Sequence, residues 1–314
     1  LASSAASDVY KRQIEGGMTK NGLTVSRTIV VHAFEAGRFY RPRTETSGAG
    51  FDRIYAYTPA PGQFVNAGPE TIATPGQACE YAQRQMAGGG YVSLGAFGGY
   101  IVAGFDHSVD ASADGYELAV GGNSFDTSSE PGVVWVMQDE NGDGLPNDTW
   151  YELRGSEYDD PATVHGYAVT YYRPASSGTE VPWTDDRGGR GAVGRNEFHQ
   201  QDSYYPAWVA ADSYTLRGTL LENRAEFGYS DRYGDFIWML PAREWGYADN
   251  YSDEGRDGTW NLFRISDAVR FDGSPADLTY IDFVKVQSGV QAMCGAIGET
   301  STEVTGIADY RMMK

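Results

Sequence analysis

Short apolar runs separated by clusters of glycine, aspartate and asparagine make up most of the sequence. Apolar and polar positions alternate from Tyr116 through Leu118 to Val120, and this period of two predicts a half-buried strand. Val133–Met137 is continuously apolar, which predicts a central strand that is covered on both faces. The same patterns predict further strands at Tyr91–Leu94, Tyr100–Phe105, Trp150–Leu153, Tyr167–Tyr172, Tyr214–Leu221, Phe236–Leu240, Leu262–Ile265 and Leu278–Val286.

One segment carries the start and stop signals of a helix. Thr74 suits the N-cap, Pro75 suits the first turn and Gly88 suits the end, so a helix is predicted at Pro75–Met86. The strands recur at intervals that are typical of a sandwich. We therefore predict an all-β fold, a jelly-roll-like β-sandwich with one short helix. Its long connections, 173–212 and 241–260, are predicted to be loops that carry function.

The first fifty residues are predicted to lie outside this sandwich. Residues 1–13 (LASSAASDVYKRQ) lack an initiator methionine and resemble translated sequencing-adapter read-through, so we interpret them as a non-native leader. Residues 14–50 combine an apolar run with a polar, turn-rich tail. We interpret them as the truncated remnant of an upstream β domain and its linker, and residues 51–314 as the sandwich domain.

The net charge of the chain limits which classes of molecule it can bind. The chain has 24 basic and 43 acidic residues and a net charge of −19, which argues against nucleic acid, since nucleic acid needs a basic face. Residues 86–105 are uncharged but include seven glycines, so they predict two buried strands and no transmembrane segment. Cys79 and Cys294 permit one disulfide at most, and the sequence leaves their pairing open.

The run Asp139–Asp148 (DENGDGLPND) has the ligand spacing of a calcium loop. Oxygen ligands recur at alternate positions and Gly144 allows a sharp turn, as in the DxDxDG loops of EF-hands, dockerins and integrin propeller blades, which the run resembles. Trp150 stands where an EF-hand has its bidentate glutamate, so Asp148 or Glu152 would have to replace that ligand. The expected calcium ligands are Asp139, Asn141, Asp143, Leu145, Asn147 and Asp148.

Two interpretations of this loop remain open. Residues 139–160 contain eight acidic side chains and one basic side chain, and uncompensated carboxylates favour a bound cation. The alternative is a solvated acidic hairpin, because Asn-Gly and Asp-Gly are also common hairpin turns. If calcium binds, we expect it to be structural.

Aromatic residues in the two long connections are candidates for ligand binding. Exposed rings beside amides and carboxylates hold flat or sugar-like ligands, the rings giving contact area and the polar groups giving orientation. The alternative is that these rings cover the sandwich core, as tryptophan is usually buried. The candidate ligand-binding residues are His199, Tyr204, Tyr205, Trp208, Trp245 and Tyr247.

Catalytic motifs are not found. The sequence has no G-x-S-x-G, H-E-x-x-H or C-x-x-C. Asp106 and His107 are adjacent on a predicted strand and should point to opposite faces, so they are not expected to form a dyad. We therefore predict no catalytic residues and expect that the chain is not an enzyme.

Several long motifs resemble a family of Bacteroidetes cell-surface proteins, usually described only as cell-surface or PKD-domain-containing proteins. The motifs are TPAPGQFVN (58–66), SLGAFGGYIVAGFDHSV (93–109), SEPGVVWVMQDENGDGLPNDTWYEL (129–153), WGYADN (245–250) and YIDFVKVQSGV (280–290). The resemblance covers about residues 55–312. It implies a secreted lipoprotein with an Ig- or PKD-like domain upstream, sometimes encoded near outer-membrane vitamin B12 uptake systems.

Three functions are therefore weighed. The first is a non-catalytic, calcium-stabilised protein that binds a small molecule or glycan at the cell surface, anchored to the outer membrane through a missing N-terminus. In this hypothesis it assists an outer-membrane transporter in nutrient capture, the resemblance implying cobalamin or a corrinoid. The second is a carbohydrate-binding module or carbohydrate-active enzyme, because β-sandwiches host both. The third is an adhesion or structural surface module with a protein ligand.

Overall fold

Short antiparallel strands joined by tight turns form most of the molecule. The computed structural model describes residues 10–20, 23–33, 37–68, 71–112 and 114–314. It is an all-β sandwich with one α-helix, which confirms the predicted fold class. The leader interpretation of residues 1–13 falls mostly on residues 1–9, which lie outside the described residues.

The strands are β1 (Tyr10–Lys20), β2 (Leu23–Ala33), β3 (Arg53–Thr58), β4 (Val92–Ser93), β5 (Tyr100–Asp110), β6 (Leu118–Gly121), β7 (Gly132–Met137), β8 (Tyr151–Leu153), β9 (Val164–Tyr172), β10 (Val181–Asp185), β11 (Arg190–Val193), β12 (Ser213–Leu220), β13 (Glu226–Ser230), β14 (Asp235–Met239), β15 (Arg256–Asp257), β16 (Trp260–Phe263), β17 (Ala268–Val269), β18 (Tyr280–Ser288), β19 (Glu303–Val304) and β20 (Gly306–Asp309). The helix α1 (Pro75–Ala87) follows β3. Three short 3₁₀ helices lie at Ile265–Asp267, Gly295–Ile297 and Tyr310–Met312.

A six-stranded sheet of order β17-β8-β7-β18-β5-β3 forms the centre of the fold. Two four-stranded sheets accompany it, with orders β15-β16-β6-β20 and β11-β10-β9-β12. Two-stranded ladders join β1 to β2, β13 to β14 and β19 to β4. The hairpin β10–β11 lies inside the connection 173–212, so that connection is not wholly a loop as predicted. Its strands are short and partly polar, and they therefore lack a clear apolar pattern.

The main core lies on one face of the six-stranded sheet. Val134 and Val136 of β7 and Val284 of β18 are fully buried there, together with side chains of the sheet that contains β6. The helix α1 packs against this core through Ala78, Ala82 and Met86, which share one face because they are four residues apart. The Thr74 hydroxyl accepts a hydrogen bond from the Gln77 amide, as its N-cap position predicts.

A second core lies under the sheet that contains β9 and β12. Its buried side chains include Phe97, Tyr167, Tyr171 and Leu216. Close approach of this sheet to β18 requires glycine at position 218, because a Cβ there would lie 2.3 Å from Gln287 Oε1. The two sheets therefore face each other across the side of β7 and β18 that is opposite to the main core.

The segment before β3 is attached to the sandwich by charged side chains. The Arg41 guanidinium lies 3.0 Å from the Asp282 carboxylate on β18, and Arg43 lies 2.7 Å from Asp309 on β20.

Both cysteines are free, Cys294 being buried and Cys79 partly buried. Within the described ranges, no helix is long and apolar enough to cross a membrane.

Candidate functional site

Three side chains lie in a row across the central sheet: Glu152 of β8, Trp135 of β7 and Lys285 of β18. Trp135 pairs with Glu152 on one side and with Lys285 on the other. Directly opposed residues of antiparallel strands project to the same face. Val134 and Val136 point into the main core, so the row projects to the opposite face, toward β12.

This row lines a cavity of about 280 Å³ between the six-stranded sheet and the strands β9 and β12. We call it the Trp–Lys pocket. Aromatic and cationic groups dominate its remaining wall, and Phe271 is fully exposed there. The other large side chains that line it are Trp150, Tyr158, His165, Arg217, Arg270 and Phe271.

The ammonium group of Lys285 lies between two indole rings. Its Nζ is 4.4 Å from the ring centroid of Trp135 and 5.3 Å from that of Trp150. Burial lowers the pKa of Lys285 to about 8, although the Glu152 carboxylate acts in the opposite direction. The group forms no hydrogen bond or ion pair with another described residue. Lys285 is thus a largely desolvated cation without a fixed anionic partner.

The Glu152 carboxylate, by contrast, already has polar partners in the pocket wall. Its carboxylate accepts a 2.6 Å hydrogen bond from the Thr219 hydroxyl, and His165 Nδ1 lies 3.8 Å from it. The Glu152 carboxylate raises the pKa of His165, against the opposing effect of burial. His165 Nε2 lies 3.0 Å from the carbonyl oxygen of Tyr158, which orients the ring. Thr219 and His165 thus hold Glu152 in the wall, and Glu152 acts on Lys285 through its charge without a hydrogen bond or ion pair between them.

A partly buried cation beside aromatic rings suits a ligand of particular chemistry. The Lys285 ammonium offers donors to an anion, and the indole rings offer area to a flat apolar group. Sequence reasoning missed this site because its residues come from strands that are distant along the chain. The one signal in the sequence was Lys285 itself, a single basic residue near the middle of the apolar strand β18.

The predicted calcium loop is compact and internally hydrogen-bonded. Asp139 accepts hydrogen bonds from the backbone amides of Gly142 (2.7 Å) and Gly144 (3.0 Å). Asp143 accepts bonds from the side-chain amide of Asn147 (2.9 Å) and the backbone amide of Leu145 (2.8 Å). The Asp139 amide donates to Asp282 on β18, which fixes the start of the loop to the central sheet.

The remaining predicted ligands lie in the same loop. The Asn141 side-chain amide donates to Asn147 Oδ1, the Leu145 carbonyl accepts from the Asn147 amide, and Asp148 accepts from the Glu140 amide. The hydrogen bond from the Asn147 side chain is the main cause that lowers the pKa of Asp143. Burial, with repulsion from Asp139 and Asp143, raises the pKa of Asp148. No described basic side chain forms an ion pair with these carboxylates, so calcium binding here stays a prediction.

A second acidic group is buried behind β19. Glu130, Asp249 and Glu303 have carboxylate oxygens within 4.8 Å of one another, and we call them the acidic triad. In the part of the chain that the structure describes, no other set of three or more His, Cys, Asp or Glu side chains comes this close together. No sequence pattern indicates this triad, because 119 and 54 positions separate its members.

Backbone amides hold the triad in place. Asp249 Oδ1 accepts from the amides of Asn123 (2.9 Å) and Ser124 (2.8 Å), and its Oδ2 accepts from the amide of Glu303 (2.9 Å). The Ser301 amide donates to Glu130 over 2.9 Å. These amides fix the carboxylates but do not neutralise three charges.

The triad carboxylates therefore favour protons. Burial raises the pKa of Glu130 to about 8 and that of Asp249 to about 7, and it raises the pKa of Glu303 strongly. Glu299 lies nearby, and burial raises its pKa to about 7. No described Lys, Arg or His pairs with these groups. Three hard oxygen donors could hold a divalent cation in place of the protons.

The aromatic candidates are mostly not on the surface. Tyr204 and Tyr205 are 1% exposed, and Trp208 and Tyr247 are also buried, so the expectation of exposed rings is wrong for these four. The two adjacent tyrosines each have a partner for the hydroxyl: Tyr204 donates to the His199 carbonyl (2.6 Å) and Tyr205 to the Ala211 carbonyl (2.8 Å). Sequence does not show such partners.

The six candidates also do not come together at the Trp–Lys pocket. Trp208 packs beside Tyr57, with ring centroids 5.7 Å apart, and the Tyr247 hydroxyl accepts a hydrogen bond from the Glu157 amide. His199 lies edge-on to Phe64, with ring centroids 4.6 Å apart. Trp245 and His199 alone keep partial exposure among the six candidates.

Replacing Tyr205 by phenylalanine should affect stability and not ligand binding. The substitution removes the hydrogen bond from the buried Tyr205 hydroxyl to the Ala211 carbonyl, which is worth about 1 kcal/mol. Chemical denaturation should show this loss of unfolding free energy. Replacing the exposed Tyr229 by phenylalanine is the control and should change nothing. Unchanged stability of Tyr205→Phe would contradict the structural role.

Asp106 and His107 do form a contact, contrary to the expectation from strand alternation. His107 Nδ1 lies 2.6 Å from the Asp106 carboxylate, and its Nε2 lies 3.3 Å from Asp309. The ladder between β5 and β18 shifts register between Ile281 and Phe283, opposite this pair. A bulge of this kind bends the strand and re-aims side chains. His107 is fully buried between two carboxylates, so it belongs to the core.

Comparison with known proteins adds no relative from which residue roles could be transferred. No protein-family model matches the sequence, and no curated protein matches it. The interpretation of the Trp–Lys pocket, the calcium loop and the acidic triad therefore depends on their own geometry.

Proposed function

We propose that this chain is a non-catalytic, ligand-binding protein of the cell surface, and that the Trp–Lys pocket holds a flat, anionic group of its ligand. The observation that carries the proposal concerns the Lys285 ammonium. It lines a 280 Å³ cavity, lies near two tryptophan rings, and forms no hydrogen bond or ion pair with a described residue. Surface location and delivery to an outer-membrane transporter are the part of the proposal that derives from the sequence resemblance.

The charge of the pocket supports an anionic ligand. The chain as a whole carries a net charge of −19, yet this cavity gathers Lys285, Arg217 and Arg270 against a single acidic residue, Glu152. The two arginines are already engaged: Arg217 lies 3.4 Å from Asp186, and Arg270 donates to the Ala276 carbonyl. Lys285 is therefore the cation that is free to bind a carboxylate or phosphate, and partial desolvation strengthens such a contact.

The size of the pocket limits what enters it. Ligand pockets commonly measure about 300–1,000 Å³, so a cavity of 280 Å³ accepts one ring system. A larger ligand would leave its remaining part outside, over the exposed Phe271. A corrinoid fits this description through its nucleotide loop, where a ribose links a phosphodiester to a flat benzimidazole. The macrocycle itself would stay outside the pocket.

Calorimetric titration of the whole chain with matched ligands tests the proposal. 4-Hydroxybenzoate is compared with 4-hydroxybenzamide, and cyanocobalamin with cobinamide, which lacks the nucleotide loop. We expect 4-hydroxybenzoate to bind more tightly than 4-hydroxybenzamide, and cyanocobalamin, which carries the phosphodiester, more tightly than cobinamide; replacement of Trp150 by alanine should weaken the tighter binding of each pair. Equal binding within both pairs, or binding that is unchanged by Trp150→Ala, would contradict the proposal.

We propose further that calcium occupies the loop Asp139–Asp148 and stabilises the sandwich. The support is the ligand spacing, together with carboxylates that crowd one another without a described basic partner. Because Asp139 is tied to Asp282, an ion in this loop would be coupled to the central strand β18.

Calcium should therefore raise the melting temperature of the chain by several degrees, and Asp143→Asn should reduce this shift. Binding at a hundredfold excess over Kd contributes about 2.7 kcal/mol. Differential scanning fluorimetry with calcium and with EDTA measures the shift. Asp253→Asn, which removes an exposed carboxylate outside the loop, is the matched control. A calcium shift that Asp143→Asn leaves intact would place the ion elsewhere.

A further inference from the structure

A second cavity, of about 780 Å³, opens beside the end of α1 and the sheet that contains β6, β16 and β20. We call it the Trp260 groove. It shares no lining residue with the Trp–Lys pocket. Its principal side chains are Phe51, Met86, Asn123, Thr259, Trp260 and Thr305.

The groove is neutral. None of its described lining residues is charged, although 21% of the chain is charged. A surface of this size without a single carboxylate is unusual in a chain of net charge −19. An ionic ligand would find no counter-charge in the groove, so its chemistry favours an uncharged ligand.

Glycines support the Trp260 ring from beneath. Trp260 pairs with Gly121, and Gly121 pairs with Gly306, so the three residues lie side by side across β16, β6 and β20. A Cβ at Gly306 would lie 2.7 Å from the indole ring, and one at Gly121 would lie 3.3 Å from it. The ring therefore packs closely against glycine backbone. It is partly exposed and lines the groove.

Polar side chains with unused hydrogen-bonding capacity line the groove together with this ring. The side chains of Asn123, Thr259 and Thr305 form no hydrogen bond with a described residue. Asn123 and Thr259 are exposed. The backbone beneath them is fixed, since the Asn123 amide donates to Asp249 and the Gly122 amide donates to the Thr259 carbonyl. One amide and two hydroxyls thus line the groove together with the Trp260 ring, on fixed backbone.

We propose that the Trp260 groove is a second binding site, for a neutral saccharide. The apolar C–H face of a sugar ring would pack on the indole of Trp260, and its hydroxyls would bond the Asn123 amide and the hydroxyls of Thr259 and Thr305. Aromatic area with a few oriented, uncharged polar groups is the composition that such a ligand requires. This site is independent of the function proposed for the Trp–Lys pocket.

Affinity electrophoresis and calorimetry of the whole chain with neutral hexasaccharides test the inference. Cellohexaose, maltohexaose, xylohexaose and mannohexaose are the probes, and oligogalacturonate is the acidic comparison. We expect at least one neutral hexasaccharide to bind, Trp260→Ala to weaken its binding at least tenfold, and Trp150→Ala in the other pocket to leave it unchanged.

Asn123→Ala keeps the test valid if Trp260→Ala does not fold, because the Asn123 side chain is exposed and its loss should not affect the melting temperature. We expect it to weaken saccharide binding several-fold. The inference is overturned if no neutral hexasaccharide binds, if only oligogalacturonate binds, or if folded Trp260→Ala and Asn123→Ala bind as the parent does. Loss of saccharide binding in Trp150→Ala alone would also overturn it.

Discussion

Lys285→Met should weaken the binding of an anionic aromatic ligand by about 10- to 100-fold, since a hydrogen bond to a charged group contributes about 1.5–3 kcal/mol. Binding of the uncharged amide counterpart should change little, because the indole rings of Trp135 and Trp150 remain in place. Calorimetric titration of both ligands into both proteins separates the contribution of charge from that of ring contact.

The same substitution should leave the fold intact. Methionine is similar in length to lysine, and it removes a cation whose desolvation lowers the pKa to about 8, so the free energy of unfolding should be unchanged or higher. Lys314→Met is the matched control, because Lys314 Nζ also lies over an aromatic ring, 4.4 Å from the centroid of Tyr310. Equal loss of ligand affinity in both variants would contradict a specific role for Lys285.

The free energy of unfolding should fall as the pH rises from 5 to 8 in the presence of EDTA. Burial raises the folded-state pKa of Glu130 to about 8 and that of Asp249 to about 7, above the value of an unfolded carboxyl. A raised carboxyl pKa means that the folded state binds protons more tightly than the unfolded state. The stability is therefore greatest below the unfolded pKa and is lost as the pH rises through the folded pKa. The loss is about 1.4 kcal/mol for each tenfold difference in proton affinity between the folded and unfolded states.

Glu303→Gln tests whether the acidic triad causes this pH dependence. The amide keeps the size of the side chain but does not ionise, so the variant should lose less stability than the parent between pH 5 and pH 8. Glu45→Gln, at an exposed site, should keep the slope of the parent. Chemical denaturation at four pH values gives the slopes. Stability that rises over this range in the parent, or an equal slope in Glu303→Gln, would contradict the assignment.

Divalent cations provide a separate readout of the same triad. An ion held by Glu130, Asp249 and Glu303 would have to displace their protons, so its stabilising effect should be larger at pH 8 than at pH 5. Asp143→Asn distinguishes this effect from that of the calcium loop. Cation stabilisation that persists in Asp143→Asn but disappears in Glu303→Gln would assign the ion to the triad.

Local patterns predicted the elements well. Continuous apolar residues at Val133–Met137 predicted β7, which spans Gly132–Met137, and Thr74 with Pro75 predicted the start of α1. These elements depend on near neighbours in sequence, because capping, turn preference and side-chain alternation act over a few residues. The short strands β10 and β11 lack such a pattern, and they were missed.

The sites depend on strand register and could not be predicted in the same way. Lys285 meets Trp135 because β18 pairs with β7, and Asp249 meets Glu303 because the Glu303 amide donates to the Asp249 carboxylate from a distant segment. Alternation shows that a residue faces one side of a sheet but not which strand lies beside it. The burial of Tyr205 also depends on distant parts of the chain, since it lies in one core with Phe97 and Val169.

Co-crystallisation with 4-bromobenzoate tests the central claim most directly, because anomalous scattering from bromine locates the ligand without prior assumptions. We expect a bromine peak in the Trp–Lys pocket, with the carboxylate within hydrogen-bonding distance of Lys285 Nζ and the ring against Trp150. A fully occupied ligand elsewhere, or a pocket that stays empty at saturating ligand, would contradict a binding role for this pocket.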